Sequence, residues 1–284
     1  MTRQPAGREN APARRGRDVA FAVTACAALA WYNNVAGRTS RHRRWYPAVN
    51  AGAAAVALAA ARASGLSADD LGLRRERLRA GLRLGAAAGA PVAAAFAFAP
   101  VTPARRLLRD KRVAGLTVRQ LAYHVLLRIP VGTVCWEEAA FRGVLHGALH
   151  RVLPRPAATV VASAMFGVWH IRPTADALSD NQLATGRTAR IAAVAAVAAG
   201  TSAAGALLSC LRDRSGSLAA PVALHLIANC AGPLASAVNA RLEGHAEEPA
   251  PLRGPLSLVI SLVPEISPAL EVVEDLLLFA GGDG

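Results

Sequence analysis

The sequence is poor in aromatic residues, in lysine and in acidic residues. Phe, Trp and Tyr make up only 5% of its 284 residues, a single lysine stands among 32 basic residues, and 19 residues are acidic. The aromatic residues do not alternate with the basic ones, as they do on surfaces that stack the bases of single-stranded nucleic acid. The lack of aromatic residues among the basic ones argues against a nucleic-acid partner.

Cysteine is also scarce, and its spacing excludes the common cysteine frameworks. Cys26, Cys135, Cys210 and Cys230 form no CxxC pair and follow no regular interval. Each lies within or at the end of an apolar stretch, so four buried free thiols are predicted rather than disulfides or a zinc cluster. The sequence also lacks an HExxH motif, which excludes the common zinc-protease helix.

Apolar residues are abundant, and most of them are Ala, Val and Leu. Hydrophobic residues make up 53% of the chain, and the mean hydropathy is +0.30. They gather into runs of about 18 or more residues, which approaches the length that a helix needs to cross a bilayer. The sequence therefore predicts an all-α fold, a polytopic bundle of about seven or eight transmembrane helices.

The positive charge falls between these apolar runs. The net charge is +13, and arginines cluster at residues 38–44, 74–83 and 105–112. Basic loops between transmembrane helices interact with anionic lipid headgroups. The lipid bilayer is therefore the expected partner of these arginines.

The chain divides into four regions by composition. Residues 1–18 are polar, rich in Pro and Arg and without apolar periodicity, which predicts a disordered basic tail. N-terminal transmembrane helices with basic loops are predicted at 19–115, and a core region of further apolar helices is predicted at 116–238. Residues 239–284 are interpreted as an acidic loop followed by a C-terminal helix or a membrane-surface segment.

An adjacent pair of carboxylates followed by an arginine lies within the core region. In the stretch EEAAFR, Glu138 and Arg142 are four residues apart and can neutralise each other on one helix face. Glu137 points about 100° away from that face and needs another partner. An ionisable residue in a membrane helix costs about 2.5–3.5 kcal/mol on insertion scales, so such residues usually mark function. Taken alone, the motif is more typical of a surface ion pair between helices.

Two further polar groups lie on separate apolar segments. His170 ends one such run, where Pro173 is predicted to stop the helix. His225 and Asn229 are four residues apart and share one helix face. Each group alone could be a packing residue, but three clusters on separate membrane helices satisfy their polar atoms best by facing one another. A shared polar cavity inside the membrane is therefore predicted.

Such a cavity could hydrolyse a peptide bond. Glu137, aided by His170, would activate a water molecule. His225 and Asn229 would then donate hydrogen bonds to the oxyanion. A zinc ion held by Glu137, His170 and His225 is the competing arrangement, because imidazole and carboxylate are ordinary zinc ligands. Spacing along the sequence does not choose between the two.

The three motifs, in their order along the chain, resemble those of the CAAX-protease and bacteriocin-processing family, which is related to the type II CAAX prenyl endopeptidases. They read EExxxR from Glu137, FxxxH from Phe166 to His170, and HxxxN from His225 to Asn229. The resemblance covers the core region well, and the remainder of the chain by hydropathy only.

The resemblance implies an intramembrane endopeptidase with a peptide or membrane-protein substrate. It implies a metal-independent glutamate protease without a cofactor and, together with the Arg- and Ala-rich composition, a place in a bacterial cytoplasmic membrane. The residue roles it implies are the water-activating base Glu137 with its partner His170, the oxyanion donors His225 and Asn229, and the supporting residues Glu138 and Arg142.

Two other classes of function compete with proteolysis. A non-catalytic membrane scaffold or bacteriocin-immunity protein would use the same cavity for binding. A transporter would use buried Glu and His residues as a proton relay, but the chain shows no internal repeat of hydropathy, which argues against this class.

The remaining histidines are given no catalytic role. His146 and His150 are four residues apart and could suggest metal ligands, but with Arg151 beside them they are interpreted as a helix end at the lipid headgroups. His42 and His245 fall in polar loops and carry no functional prediction.

Overall fold

The protein is helical throughout the part that the structure describes. The computed structural model describes residues 11–108, 113, 115–180 and 186–244, and it contains no strand in these ranges. The α-helices are α1 (Ala11–Asn34), α2 (Ser40–Arg44), α3 (Tyr46–Ala63), α4 (Leu78–Phe98), α5 (Val118–Tyr123), α6 (His146–Val152), α7 (Arg155–Asp180), α8 (Arg187–Ser215) and α9 (Ala219–Glu243). Short 3-10 turns lie at Ala36–Arg38, Arg75–Arg77, Ala99–Val101 and Pro103–Leu108.

Helices α5 and α6 are the two ends of one helical run that covers residues 118–152. Thr117 begins this run as the N-cap of a capping box. Two π-helical segments, His124–Cys135 and Glu138–Leu145, form its middle. π-Helical turns are rare in proteins, and those that are present frequently lie at functional sites. They therefore mark this run as a candidate functional element.

Four helices in the described ranges are long and apolar enough to cross a membrane. They lie within Pro12–Arg38, Arg75–Val101, Arg187–Ser215 and Ala219–Glu243. The prediction of an all-helical membrane bundle is confirmed.

The main hydrophobic core lies where α1, α3, the 118–152 run and α7 meet. Its large side chains include Trp136, Phe141 and Phe166, and buried alanines from α1, the run and α7 fill the space around them. The rings of Phe141 and Phe166 contact edge to face, with centroids 5.0 Å apart. Such aromatic pairs stabilise a fold by more than the burial of their apolar area alone provides. This core fixes the run that carries the carboxylate pair against α7.

A row of glycines allows α4 and α9 to pack closely. Gly81, Gly85 and Gly89 are spaced four residues apart on α4 and are all buried. A Cβ atom at Gly85 would collide with the carbonyl oxygen of Ala220 and lie 2.8 Å from the Cβ of Ala223. Small residues let the backbones of membrane helices approach in this way. The contact sets the position of α9, which carries the third polar motif.

The first helix begins earlier than the sequence predicts. Residues 11–18, expected to belong to a disordered tail, form the first turns of α1. Pro12 is tolerated there because the first turn of a helix does not need its N–H. Asp18 also forms an ion pair with Arg151, at 3.3 Å, which attaches the start of α1 to the end of α6.

Helix α7 also extends further than predicted. Pro173 was expected to end it, but the helix continues to Asp180. Proline removes the N–H that would bond the carbonyl four residues earlier. Here the Asn33 side-chain amide donates to that carbonyl, on Trp169, at 2.7 Å. A side chain from α1 thus replaces the missing backbone bond.

The prediction for the cysteines was half right. All four are free thiols, but none is buried: Cys26 and Cys230 are partly exposed, and Cys135 and Cys210 are exposed. A thiol is compatible with a lipid-facing helix surface because it behaves as a small hydrophobic group. The predicted C-terminal segment beyond residue 244, with His245, lies outside the described residues.

Replacing Gly85 by Ala should lower the free energy of unfolding by about 1–3 kcal/mol, because the added methyl group overpacks the contact with α9. Thermal or chemical unfolding in detergent micelles measures this change. Gly52 on α3 is the matched control, since a Cβ there meets no atom within 4 Å. Gly52→Ala should leave stability unchanged or raise it, and equal losses at both positions would contradict the packing argument.

Candidate active site

The carboxylate of Glu138 is buried between two nitrogen-bearing side chains. Arg142 lies one turn further along the run, with its Nη1 atom 3.3 Å from Glu138 Oε1. The Nδ1 atom of His225, on α9, lies 2.8 Å from the same oxygen. An ionised carboxylate only accepts hydrogen bonds, so His225 Nδ1 donates to Glu138, whereas the Arg142 contact is an ion pair without hydrogen-bond geometry. Glu138 therefore connects the 118–152 run to α9 and orients the His225 ring.

Glu137 faces the other nitrogen of the same ring. Its Oε2 atom lies 4.0 Å from His225 Nε2, and its side chain is almost completely buried. This separation exceeds a direct hydrogen bond, yet one water molecule can bond both atoms at ordinary hydrogen-bond lengths. The adjacent carboxylates thus contact opposite sides of one imidazole.

His170 is held by its own helix. Its Nδ1 atom lies 2.7 Å from the carbonyl oxygen of Phe166, so Nδ1 carries the proton and donates. In the neutral ring, Nε2 is then the acceptor. The Phe166 ring lies between three site residues, with Arg142 Cζ 4.0 Å above it and the His170 and His225 ring centroids 4.6 and 6.5 Å away.

Asn229 lies one turn after His225 on α9 and is 2% exposed. Neither its amide nitrogen nor its amide oxygen has a hydrogen-bond partner among the described residues. A buried amide without partners costs free energy, so such a group in a native structure calls for a ligand, a water molecule or a catalytic role. The sequence-predicted residues Glu137, Glu138, Arg142, His170, His225 and Asn229 are all buried, on three helical elements.

Glu137 and His170 line the same cavity, which has a volume of about 280 Å³. Tyr32, Trp136 and Trp169 form an aromatic wall, with ring centroids 4.7–6.3 Å apart. None of these three residues was predicted from the sequence to belong to the site. Their rings form an apolar part of the cavity wall beside the carboxylate.

A buried hydrogen-bond network lines the same cavity and was not predicted. His42, which was assigned to a polar loop, is buried, and its Nε2 atom lies 2.9 Å from Asn50 Oδ1. The Tyr32 hydroxyl also donates to Asn50, whose amide in turn donates to the Gly132 carbonyl. A sequence signal existed, since Asn50 is a lone amide within an apolar run and such residues need partners.

The predicted zinc ligands do not converge on one point. Among the described residues, Glu137, His170 and His225 are not a group whose ligand atoms lie within 4.8 Å of one another, whereas His146, His150 and Asp213 are. His225 also directs Nδ1 to Glu138 and holds Nε2 4.0 Å from Glu137. These positions suit a bridging water molecule better than a shared zinc ion, whose ligand atoms lie roughly 3.3 Å apart.

A larger depression of about 860 Å³ lies between α7 and α8. Its lining is mostly apolar, from residues such as Ile171, Ala175, Ile191 and Val194, with Arg187 and Arg190 at one side. No carboxylate is among the residues that line it. Because hydrolysis needs a group that accepts a proton, the smaller cavity with Glu137 is the candidate active site.

The core region of the chain is similar to a known protein family. Residues 119–231 match the family model described as type II CAAX prenyl endopeptidase Rce1-like. The chain carries an Rce1-like domain. Comparisons with curated proteins and with solved structures found no match. The Rce1-like domain indicates a multi-pass membrane protein of the intramembrane CAAX-type protease class, and it contains all six predicted site residues.

The remaining cavity wall comes from outside the Rce1-like domain. Tyr32, His42 and Asn50 belong to the first part of the chain. Helix α4, whose glycines position α9, also precedes the domain. The N-terminal helices therefore complete the cavity around the domain.

Replacing Arg142 by Leu should lower the free energy of unfolding by about 3–5 kcal/mol, because the buried Glu138 carboxylate loses its arginine partner. Denaturation in detergent micelles measures the loss. Arg172→Leu is the matched control, since Arg172 and Asp176 form the same i,i+4 pair with side chains that are 41% and 51% exposed. The control should cost less than about 0.5 kcal/mol, and equal costs would show that burial is not the cause.

Proposed function

We propose that the chain is an intramembrane endopeptidase that hydrolyses a peptide bond of a membrane-associated protein or peptide with a water molecule activated by Glu137. The observation that supports this most directly is the position of the buried Glu137 carboxylate, 4.0 Å from His225 Nε2 and on the wall of the cavity that His170 also lines. The Rce1-like domain supports the protease class independently.

In the proposed first step, Glu137 accepts a proton from the water molecule while the water oxygen attacks the peptide carbonyl. The neutral His170 ring accepts a hydrogen bond from the same water through Nε2, because its Nδ1–H is committed to the Phe166 carbonyl. Two acceptors on one water orient its lone pair toward the substrate. The proton held by Glu137 then passes to the leaving amine as the C–N bond breaks.

The negative charge that develops on the substrate oxygen needs hydrogen-bond donors. Asn229 supplies an amide N–H₂ that has no partner among the described residues. His225 can donate from Nε2 while Nδ1 donates to Glu138, provided that the ring carries both protons. The flanking carboxylates of Glu137 and Glu138 balance the charge of that form. Fixed donors in a water-poor site are among the largest contributions to catalysis.

Glu138 and Arg142 act through His225 in this proposal. Glu138 fixes the ring orientation, and Arg142 holds Glu138 in place through the ion pair and its contact with the Phe166 ring. No metal ion takes part in the proposed reaction. The bacterial cytoplasmic membrane is the proposed location.

Glu137→Gln should abolish proteolysis while leaving the abundance of the protein unchanged, because Gln has the same shape but accepts no proton. Quantitative proteomics of new protein termini, in membranes that contain the wild type or the variant, measures this loss. Cleavage of a substrate found in this way should fall by about 10²–10⁴-fold.

Glu76→Gln is the matched control, because Glu76 is an exposed carboxylate in the turn before α4. The control should yield the wild-type set of termini. If membranes with Glu137→Gln also yield that set, the chain is not a Glu137-dependent peptidase. Unchanged biological activity of Glu137→Gln would instead favour a scaffold or immunity protein that binds peptides in the cavity.

Asn229→Ala should reduce kcat about 10²–10³-fold with little change in KM, because an oxyanion donor acts mainly in the transition state. Kinetics with a substrate identified as above separate the two parameters. Asn239→Ala removes another buried amide from α9, two to three turns away, and should retain kcat once corrected for the folded fraction. A selective rise in KM for Asn229→Ala would contradict the oxyanion role.

A further inference from the structure

A second group of buried titratable residues lies outside the candidate active site. His146 and His150 are one turn apart on α6, and Asp213 approaches them from α8. His146 Nε2 lies 3.0 Å from Asp213 Oδ1, and His150 Nε2 lies 3.7 Å from Asp213 Oδ2. From the sequence, the two histidines are expected at a helix end near the headgroups, and no local pattern predicts a carboxylate partner 63 or more positions later in the chain.

We propose that His146, His150 and Asp213 bind a zinc ion, with water as the fourth ligand. Two ligand atoms about 2.0–2.1 Å from a tetrahedral zinc ion are roughly 3.3 Å apart. The distance from His146 Nε2 to Asp213 Oδ1 is 3.0 Å, and that from His150 Nε2 to the other oxygen, Oδ2, is 3.7 Å, both close to this value. One ligand atom from each of the three residues lies within 4.8 Å of the other two. Two imidazoles and a carboxylate are an ordinary zinc-binding set.

The burial and the missing hydrogen bonds of the two rings support a ligand at this position. His146 is completely buried, and neither its Nδ1 nor the Nε2 of His150 has a hydrogen-bond partner among the described residues. Buried ring nitrogens without hydrogen bonds are costly. Zinc bound to both Nε2 atoms would satisfy that of His150, and the proton of the neutral His146 ring would then reside on Nδ1. The side chains of His150 and Asp213 are 17% and 26% exposed, which leaves an entry path.

The main opposing charge comes from Arg212. Its Nη1 atom lies 3.1 Å from Asp213 Oδ1, so it repels a cation there. Its Nη2 atom, however, donates to the backbone carbonyls of Asp69 and Asp70, which holds the guanidinium to the loop before α4. With one carboxylate and a nearby arginine, the site offers too little negative charge for calcium or magnesium. Nitrogen ligands favour zinc over those ions.

The proposed zinc site would fasten α6 to α8 close to the candidate active site. His146 follows Arg142 by one helical turn, so a clamp at His146 restrains the run that also carries Glu138. The site is separate from the Glu137 cavity, and its ligands do not line that cavity. Its proposed role is structural and does not depend on whether the chain is a peptidase.

Zinc binding is measured on the full chain, purified in detergent with an affinity tag that contains no histidine. The protein is stripped with a chelator, titrated with ZnCl₂ and analysed by elemental mass spectrometry. Titration with Co²⁺ gives an absorption spectrum that reports tetrahedral coordination directly. We expect one ion per chain, a tetrahedral cobalt spectrum and a higher unfolding temperature in the presence of zinc.

Asp213→Asn and His150→Ala should each weaken zinc binding by at least the roughly 10–100-fold that loss of an outer-shell partner costs, because each variant changes a direct ligand. Both residues are partly exposed, so these variants disturb the core less than a change at His146. His124→Ala is the control for a histidine elsewhere on the same run, and Glu137→Gln is the control for binding in the candidate active site. Both controls should keep wild-type zinc affinity.

Two results would overturn the proposal. One is a wild-type chain that binds less than stoichiometric zinc and gives no tetrahedral cobalt spectrum, in which case the cluster is only a proton-dependent ion pair. The other is binding that survives Asp213→Asn and His150→Ala but is lost in Glu137→Gln, which would move the ion to the catalytic cavity.

Discussion

The structure depends on the burial of Glu138. A carboxylate without partners inside a lipid-embedded bundle would be costly. Here Glu138 Oε1 accepts a hydrogen bond from His225 Nδ1 on α9 and forms an ion pair with Arg142 Nη1 on its own run. The Glu138–His225 contact joins the 118–152 run to α9. This contact and the helix arrangement therefore require each other. The orientation of His225, and therefore the side of the ring that faces Glu137, follows from this one interaction.

Close packing of the helices holds Glu138 and His225 at hydrogen-bond distance. A hydrogen bond of 2.8 Å between two helices fails if either helix moves by an ångström. The glycine row of α4 brings the α9 backbone close along several turns, and the Phe141 and Phe166 rings fix the run against α7. The Rce1-like domain thus relies on helices outside its own boundaries to hold its polar residues in place.

The two polar clusters of the 118–152 run suit different tasks. The candidate active site has adjacent carboxylate acceptors and, on α9, the Asn229 amide, which has no partner among the described residues. These groups suit moving protons and stabilising charge. The His146 cluster has two imidazoles and one carboxylate at metal-ligand spacing, near the loop before α4. One cluster is proposed to perform chemistry, and the other to hold the helix that carries it.

The sequence by itself determined the helical membrane class, the family resemblance and the six buried polar residues, because hydropathy and short motifs are local properties of the chain. It also predicted the Glu138–Arg142 pair, since four residues is one helical turn. It could not assign Asn50, His42 or Asp213 to their clusters, because their partners are distant in the chain and only helix packing brings them together. For the same reason, the end predicted for α7 at Pro173 was wrong: the missing backbone bond is replaced by Asn33 from another helix. Tertiary structure alone decided which nitrogens face which oxygens, and that geometry separates a proposed hydrolytic centre from a proposed zinc site.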